Sequence, residues 1–337
     1  MKLKYIFSLI QMMRTPGLYR IIKDCQAVIR FHFIHSALDS GLLKALETPQ
    51  PIDDLIKKLK VKRVDLLHAI LDVGLSAGEL SLNNGKYKLK GKISKSLITE
   101  KGDAIGALVQ ANATYYNSAY RELKDRMQGG ELSDNLENIG DLVARVSKLQ
   151  EPLIKNFIHY TVKGKKSMNL LEIGCGSGTF MKTAYKANEN TVGLGIDMDT
   201  DVVKQAKNNM EKWGLSNRFN IFQGDIRTFE IEDSGPFDLI TLYNLIYYFE
   251  PEERPALLKK LKANLSDHGK IALVTTVRSN GKDIVAANLN LANCSLKGVT
   301  AVPEINSLKK LFKNSGFFKI EVTQIIPGGA FYSILAS

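Results

Sequence analysis

The chain has 337 residues, 44% of them hydrophobic and 24% charged. At roughly 150 residues per domain this size predicts two domains, and the composition excludes collagen-like, low-complexity and disordered chains. The net charge of +11 is uneven: residues 1–100 hold 17 Lys/Arg against 9 Asp/Glu, so any nucleic-acid contact has to be sought there.

Three cysteines, Cys25, Cys175 and Cys294, supply neither a disulfide framework nor paired metal spacing. They point to a reducing cytoplasm and to no metal site. The N-terminal stretch MKLKYIFSLIQMMR reads as a helix, because no small-residue cleavage site follows its short apolar run. The most apolar segment, Leu239 to Phe249, is too short to span a bilayer and carries Thr, Asn and Tyr.

From Phe31 to Lys92 the pattern is helix, helix, helix, hairpin. The first helix places Ile34, Leu38, Leu42, Leu43 and Leu46 at helical spacing and stops at Thr48-Pro49. A short second helix contains Asp53-Asp54-Leu55-Ile56, with acids where the helix dipole favours them. The third follows Arg63, with Leu66, Leu67, Ile70 and Leu71 as its stripe. Two alternating strands then flank Asn84-Gly85. Three helices and a hairpin make a winged helix. Lys86, Lys88, Lys90 and Lys92 fall on one side of the wing and read as a solvated edge. His32 and His35, three apart on a helix, lack a third ligand and read as structural.

Residues 101–165 are mostly helical. From Asn169 the pattern changes to short apolar runs alternating with amphipathic helices, which predicts a parallel sheet covered on both faces. The expected strands are Asn169–Ile173, Thr191–Asp197, Phe219–Gln223, Phe237–Leu242 and Lys270–Thr275. A closing antiparallel pair, Phe317–Ile326 and Ala330–Leu335, flanks Pro327-Gly328-Gly329.

The first strand runs through Glu172-Ile173 into Gly174-Cys175-Gly176-Ser177-Gly178, and a helix begins at once. Side chains at those glycines would keep a ligand from the backbone. Asp197 ends the second strand, where a carboxylate can accept both hydroxyls of a ribose, and Asp225 closes the third, facing an adenine amino group.

These features resemble the class I S-adenosylmethionine-dependent methyltransferases over residues 169 to 337. The resemblance implies an α/β fold: a Rossmann-like seven-stranded sheet whose last strand is antiparallel. Carried over, Glu172, Gly174, Gly176 and Gly178 would line the methionine part of S-adenosylmethionine. Asp197 would hold the ribose, Met198 would pack on the adenine, and Asp225 and Ile226 would read its edge. Tyr243 or Asn244 would sit beside the sulfonium.

With its mostly helical winged-helix domain, the whole chain is similar to small-molecule O-methyltransferases. That family's winged helix forms a homodimer interface and does not touch nucleic acid. The implied organisation is a dimerisation domain over 1–100, a helical connector contributing to the substrate pocket over 101–165, and a catalytic domain over 166–337. Tyr115, Tyr116, Tyr120 and Tyr160 are the expected substrate contacts.

One departure concerns the base. The family carries a histidine after its fourth strand, and this chain has Tyr247 there, followed by Tyr248. Tyrosine, with a reference pKa of about 10, accepts a proton poorly at neutral pH. Tyr247 is therefore expected to orient the acceptor, and His159 is the alternative base. The expected reaction is methyl transfer to oxygen, sulfur or activated carbon of a small molecule, releasing S-adenosylhomocysteine. A nucleic-acid methyltransferase and a non-catalytic cofactor binder are the competing readings. Against the former, Tyr243-Asn244-Leu245-Ile246 lacks the Asp/Asn-Pro-Pro-aromatic signature of amino-group methylation.

Overall fold

The computed structural model describes residue 12 and residues 14–134, 136–231 and 234–337. The apolar run Tyr5 to Ile10 and nearly all of the helix expected over residues 1–14 lie outside these. The chain forms two compact units, one of residues 1–118 with 139–149 and the other of residues 119–138 with 150–337. The segment 101–165 is thus shared between the two units.

In the first unit the long helix Leu18–Asp39 ends earlier than the periodicity suggested. Gly41, at φ 75°, breaks it, and Leu42–Ala45 forms a separate turn. The break lets Phe33, Ile34 and Ala37 from one piece and Leu42 and Leu43 from the other face a common core. Helices Ile52–Lys58 and Val64–Ser76 add Leu55, Leu67 and Leu71 to that core. Leu66 is exposed, because a residue adjacent to Leu67 is turned about 100° away from it. Strands β1 (Leu80–Asn83) and β2 (Lys86–Leu89) pair antiparallel. Asn84 and Gly85 both have positive φ between them, as a two-residue hairpin turn requires. Tyr87 and Leu89 face inward, and Lys86, Lys88 and Lys90 face solvent. Buried Glu79 holds the wing: its carboxylate accepts from Arg30 Nε at 2.6 Å and Ser94 Oγ at 2.6 Å.

The second unit holds a seven-stranded sheet of β3 (Met168–Ile173), β4 (Thr191–Asp197), β5 (Phe219–Gln223), β6 (Phe237–Tyr243), β7 (Leu265–Thr276), β8 (Ile320–Gln324) and β9 (Phe331–Ala336). Its order is β5-β4-β3-β6-β7-β9-β8. The first five are mutually parallel, and β9 inserts antiparallel between β7 and β8. Both faces are covered, as the continuous apolar runs require. Leu170 and Leu239 belong to one core cluster; their chain neighbours Leu171 and Ile240 belong to the other. β7 starts at Leu265, earlier than expected, because Ser266 Oγ and Asp238 join it to the start of β6. Among the described residues no helix is long and apolar enough to cross a membrane.

Candidate active site

The strand order fixes where a ligand can enter. From β3 the chain builds outward through β4 and β5, then returns to the other side of β3 with β6 and β7. Loops leaving β3 and β6 therefore diverge and open a crevice at the carboxyl ends of these two strands. The glycine turn leaves β3 here, and Tyr243-Asn244 leaves β6.

The turn is tightly held. Gly174 and Cys175 both donate their N–H to Ile196 O, at 2.8 and 3.0 Å, and Asn209 Nδ2 donates to Ser177 O at 3.0 Å. Gly174, Gly176 and Gly178 all have positive φ. Their surroundings divide them by role. A Cβ on Gly174 would lie 3.1 Å from Leu245 and one on Gly178 would lie within contact of Met210, whereas a Cβ on Gly176 would meet nothing within 4 Å. Two glycines permit packing, and the third leaves open space above the backbone.

Four titratable groups, Asp197, Glu172, Tyr243 and Cys175, gather beside the turn. Asp197 accepts the Gly176 N–H through Oδ2 at 2.9 Å and the Asp199 N–H through Oδ1 at 3.1 Å. Glu172 is 2% exposed, and among the described residues its Oε2 has no hydrogen-bond partner. Burial first, then the Asp197 charge, raises the Glu172 carboxyl well above the usual range. Burial, with Glu172 next to it, raises Tyr243 as well, and burial together with Glu172 and Asp197 raises the Cys175 thiol.

On the β4–β5 side, Met198 is 60% exposed, so it is not core filling. Phe222 is also exposed and stands 5.9 Å from Phe229, ring centre to ring centre. Ile226 is buried in the sheet's core and can only back the site. Asp225 is paired: Arg227 Nε donates to both carboxylate oxygens at 3.0 and 2.8 Å. Burial pushes the Asp225 carboxyl up, but Arg227 and Lys260 outweigh it and hold it below its ordinary value. The two-residue spacing of Asp225 and Arg227 is the sequence signal for this pair.

At the β6 exit Tyr243 packs edge-on against Phe180, 5.2 Å between centres. Asn244 takes a left-handed conformation, φ 53°, uncommon for a residue with a side chain. Its N–H donates to Val274 O at 2.7 Å, and its Nδ2 donates to Gln150 Oε1 at 2.7 Å. Gln150 had no signal in the sequence, because 94 positions separate the two.

The expected catalytic pair is not brought together: Tyr247 follows the β6 exit, whereas His159 lies toward the other end of the sheet. Tyr247 is 9% exposed and packs in the core cluster, within the short 3-10 turn Ile246–Tyr248. His159 lies on helix Glu151–Val162, whose N-terminal end carries Gln150 and so marks the crevice. Nine residues along that axis place His159 about 13 Å further on, toward the amino end of β3. Tyr160, 74% exposed, goes with it. His268 is exposed in the opening residues of β7, also at the amino end of the sheet.

Of the remaining tyrosines, Tyr120 donates its hydroxyl to Asn288 Oδ1 at 2.8 Å. Asn288 belongs to helix Ile284–Asn293, whose start is fixed at the carboxyl side of the sheet because Asp283 accepts the Ala330 N–H at 2.9 Å. Tyr115 and Tyr116 lie in the first unit, in a π-helical turn Asn112–Tyr116, with ring centres 4.1 Å apart.

Residues 170–269 match the family described as a methyltransferase domain. Over that stretch the chain is similar to this domain. A tRNA1(Val) (adenine(37)-N6)-methyltransferase of Photorhabdus laumondii is 35% identical over 91 residues, 27% of this chain and 36% of that protein. A carboxy-S-adenosyl-L-methionine synthase of Colwellia psychrerythraea is 25% identical over 126 residues, 36% of this chain and 50% of that protein. The chain thus spans half or less of the length of these curated relatives. Among solved structures, the mitomycin 7-O-methyltransferase MmcR is similar at a TM-score of 0.80 and 14% identity, covering 97% of this chain and 99% of that one. At that identity the likeness establishes the fold.

The residues of this site fit the cofactor that the resemblance implies. Gly176 leaves room where a side chain would stand, the orphaned Glu172 Oε2 awaits a donor, and Met198 offers an apolar face at the rim. S-Adenosylmethionine brings an ammonium donor, an adenine face and a ribose diol.

Proposed function

We propose that this protein transfers a methyl group from S-adenosylmethionine to a small-molecule acceptor, with S-adenosylhomocysteine as the product. The observation that carries the reading is the open cradle over Gly176 with the Asp197 and Glu172 carboxyl groups beneath it. In this reading Glu172 and the glycine backbone hold the methionine part. Asp197 accepts from the ribose hydroxyls, Met198 and Phe222 flank the adenine, Asp225 closes its edge, and Ile226 backs it. The β6 exit, Tyr243 and Asn244, stands nearest the reacting end.

The sulfonium supplies an already activated methyl, so the protein's task is alignment in a water-poor crevice. Neither histidine of the second unit reaches the carboxyl end of the sheet, and Tyr247 is packed in the core. In this reading neither histidine of this unit is the base, and Tyr120 with Asn288 lies on the acceptor's side. A small acceptor is favoured over nucleic acid because Leu245-Ile246 follows Asn244 where amino-group methylation uses Pro-Pro, and because the wing lysines lie on a solvated edge.

The first unit is the proposed dimerisation domain: Tyr19, Ile21, Val28 and Ile29 leave apolar surface exposed along helix Leu18–Asp39. Three unpaired cysteines support a cytoplasmic location. The test is calorimetric titration with S-adenosylmethionine and S-adenosylhomocysteine, followed by labelled-methyl transfer to phenols and thiols of graded acidity. Absence of binding to both ligands refutes the reading, and transfer to RNA or DNA in preference to every small acceptor refutes its substrate class.

A further inference from the structure

The Asn244–Gln150 contact has a chemical consequence at the reacting end of the proposed site. A primary amide has one acceptor oxygen and one donor nitrogen, and which of them faces a neighbour is set by what holds the other. Gln150 occupies the N-cap position of helix Glu151–Val162, yet its side chain makes no cap hydrogen bond. It turns instead to the β6 exit, where its Oε1 accepts from Asn244 Nδ2 at 2.7 Å. The Asn244 backbone is fixed as well, in the left-handed region and bonded to Val274 O. Backbone and Nδ2 are both held, which leaves the Asn244 Oδ1, to which no donor among the described residues bonds. Leu245, the next residue, lies against Gly174, so Asn244 is one residue from a contact with the glycine turn.

We propose that Gln150 is a positioning residue which locks the Asn244 amide so that its carbonyl oxygen faces the cofactor's sulfonium. The pair thereby lets the protein distinguish the cationic cofactor from its neutral thioether product. The proposal rests on the cofactor reading above. A carbonyl dipole pointed at a positive sulfur favours S-adenosylmethionine, and the same dipole gains little from S-adenosylhomocysteine. If the amide rotates, its NH2 group meets the cation and the preference is lost.

The experiment is calorimetry of Gln150→Leu, Gln150→Glu and the parent protein with both ligands. Leu removes the acceptor at similar size, and Glu restores an acceptor oxygen. The expected result is a fall of about fivefold to tenfold in S-adenosylmethionine affinity for Gln150→Leu, a loss of the size of one hydrogen bond. S-Adenosylhomocysteine affinity stays unchanged, and Gln150→Glu returns the ratio to at least the parent value. Equal weakening of both ligands would assign Gln150 a purely structural role and overturn the proposal, as would an unchanged ratio in Gln150→Leu. If the parent protein bound neither ligand, the cofactor reading itself would fail, an outcome distinct from these.

Discussion

Asp197 and Gly176 are joined by a hydrogen bond of 2.9 Å from the glycine N–H to the carboxylate, across 21 residues of sequence. One acid thus shapes the turn and lines the space above it. Asp197→Ala is expected to weaken S-adenosylmethionine binding by about 1.5–3 kcal/mol, the loss of hydrogen bonds to a charged acceptor. Asp197→Asn, which keeps an oxygen, should fall between the parent and the alanine variant. Calorimetry checks the order; an alanine variant that binds as tightly as the parent would remove Asp197 from the site.

The glycines separate binding from folding. Gly176→Val places its side chain in open space and is expected to abolish cofactor binding while the protein stays folded, at the cost of a strained positive φ. Gly178→Ala drives a methyl into Met210 and should lower thermal stability first. Circular dichroism melting beside calorimetry distinguishes the two; a Gly176→Val protein of parental affinity would refute the cradle.

Glu172 gives a pH signature. A carboxyl whose native value lies above its unfolded one holds more protons folded than unfolded, so stability falls as pH rises from about 4.3 toward the raised native value. Glu172→Gln removes this loss. We expect the variant, without ligand, to melt about 2–4 °C higher than the parent near neutral pH and to match it near pH 4. Its S-adenosylmethionine affinity should nevertheless drop. A variant less stable than the parent at neutral pH would show that Glu172 is charged and paired.

Asp283 has the opposite sign. Its Oδ1 accepts the Val285 and Ala286 N–H groups and its Oδ2 accepts that of Ala330. The Ala286 bond leads in holding its carboxyl below the usual value, so its stabilisation is full above about pH 4 and is lost as pH falls through the native value. Asp283→Ala should cost about 1–2 kcal/mol, as for a lost helix cap. Denaturant titration at neutral pH and near pH 3 measures both; an equal cost at the two pH values would contradict the assignment.

His159 and Tyr247 should separate by stability rather than by chemistry. His159→Ala is expected to leave cofactor affinity and the melting temperature close to the parent. Tyr247→Ala empties a core position and should cost about 3 kcal/mol or more. A His159→Ala protein that binds cofactor normally but has lost methyl transfer would return the histidine to the reaction.

Periodicity and turn chemistry were enough to locate all seven strands of the large sheet, the Asn84-Gly85 hairpin and the glycine turn, because these depend on residues close together in the chain. The same local rules missed the break at Gly41. Its flanking segments share one apolar period, and only the packing of Leu42 and Leu43 against Phe33 shows that they belong to two pieces.

The sequence alone determined the type of sheet, the position of its glycine turn and the acids that follow at Asp197 and Asp225. Spacing could not assign roles within that set. Gly176 alone faces open space, Ile226 is core, Asp225 is held by Arg227, and His159 is carried away from the crevice along its own helix. Gln150 became visible only when the fold brought it to Asn244. Each of these outcomes depends on which distant segment lies within a few ångströms. That proximity comes from the packing of helices on the sheet, which local patterns do not encode.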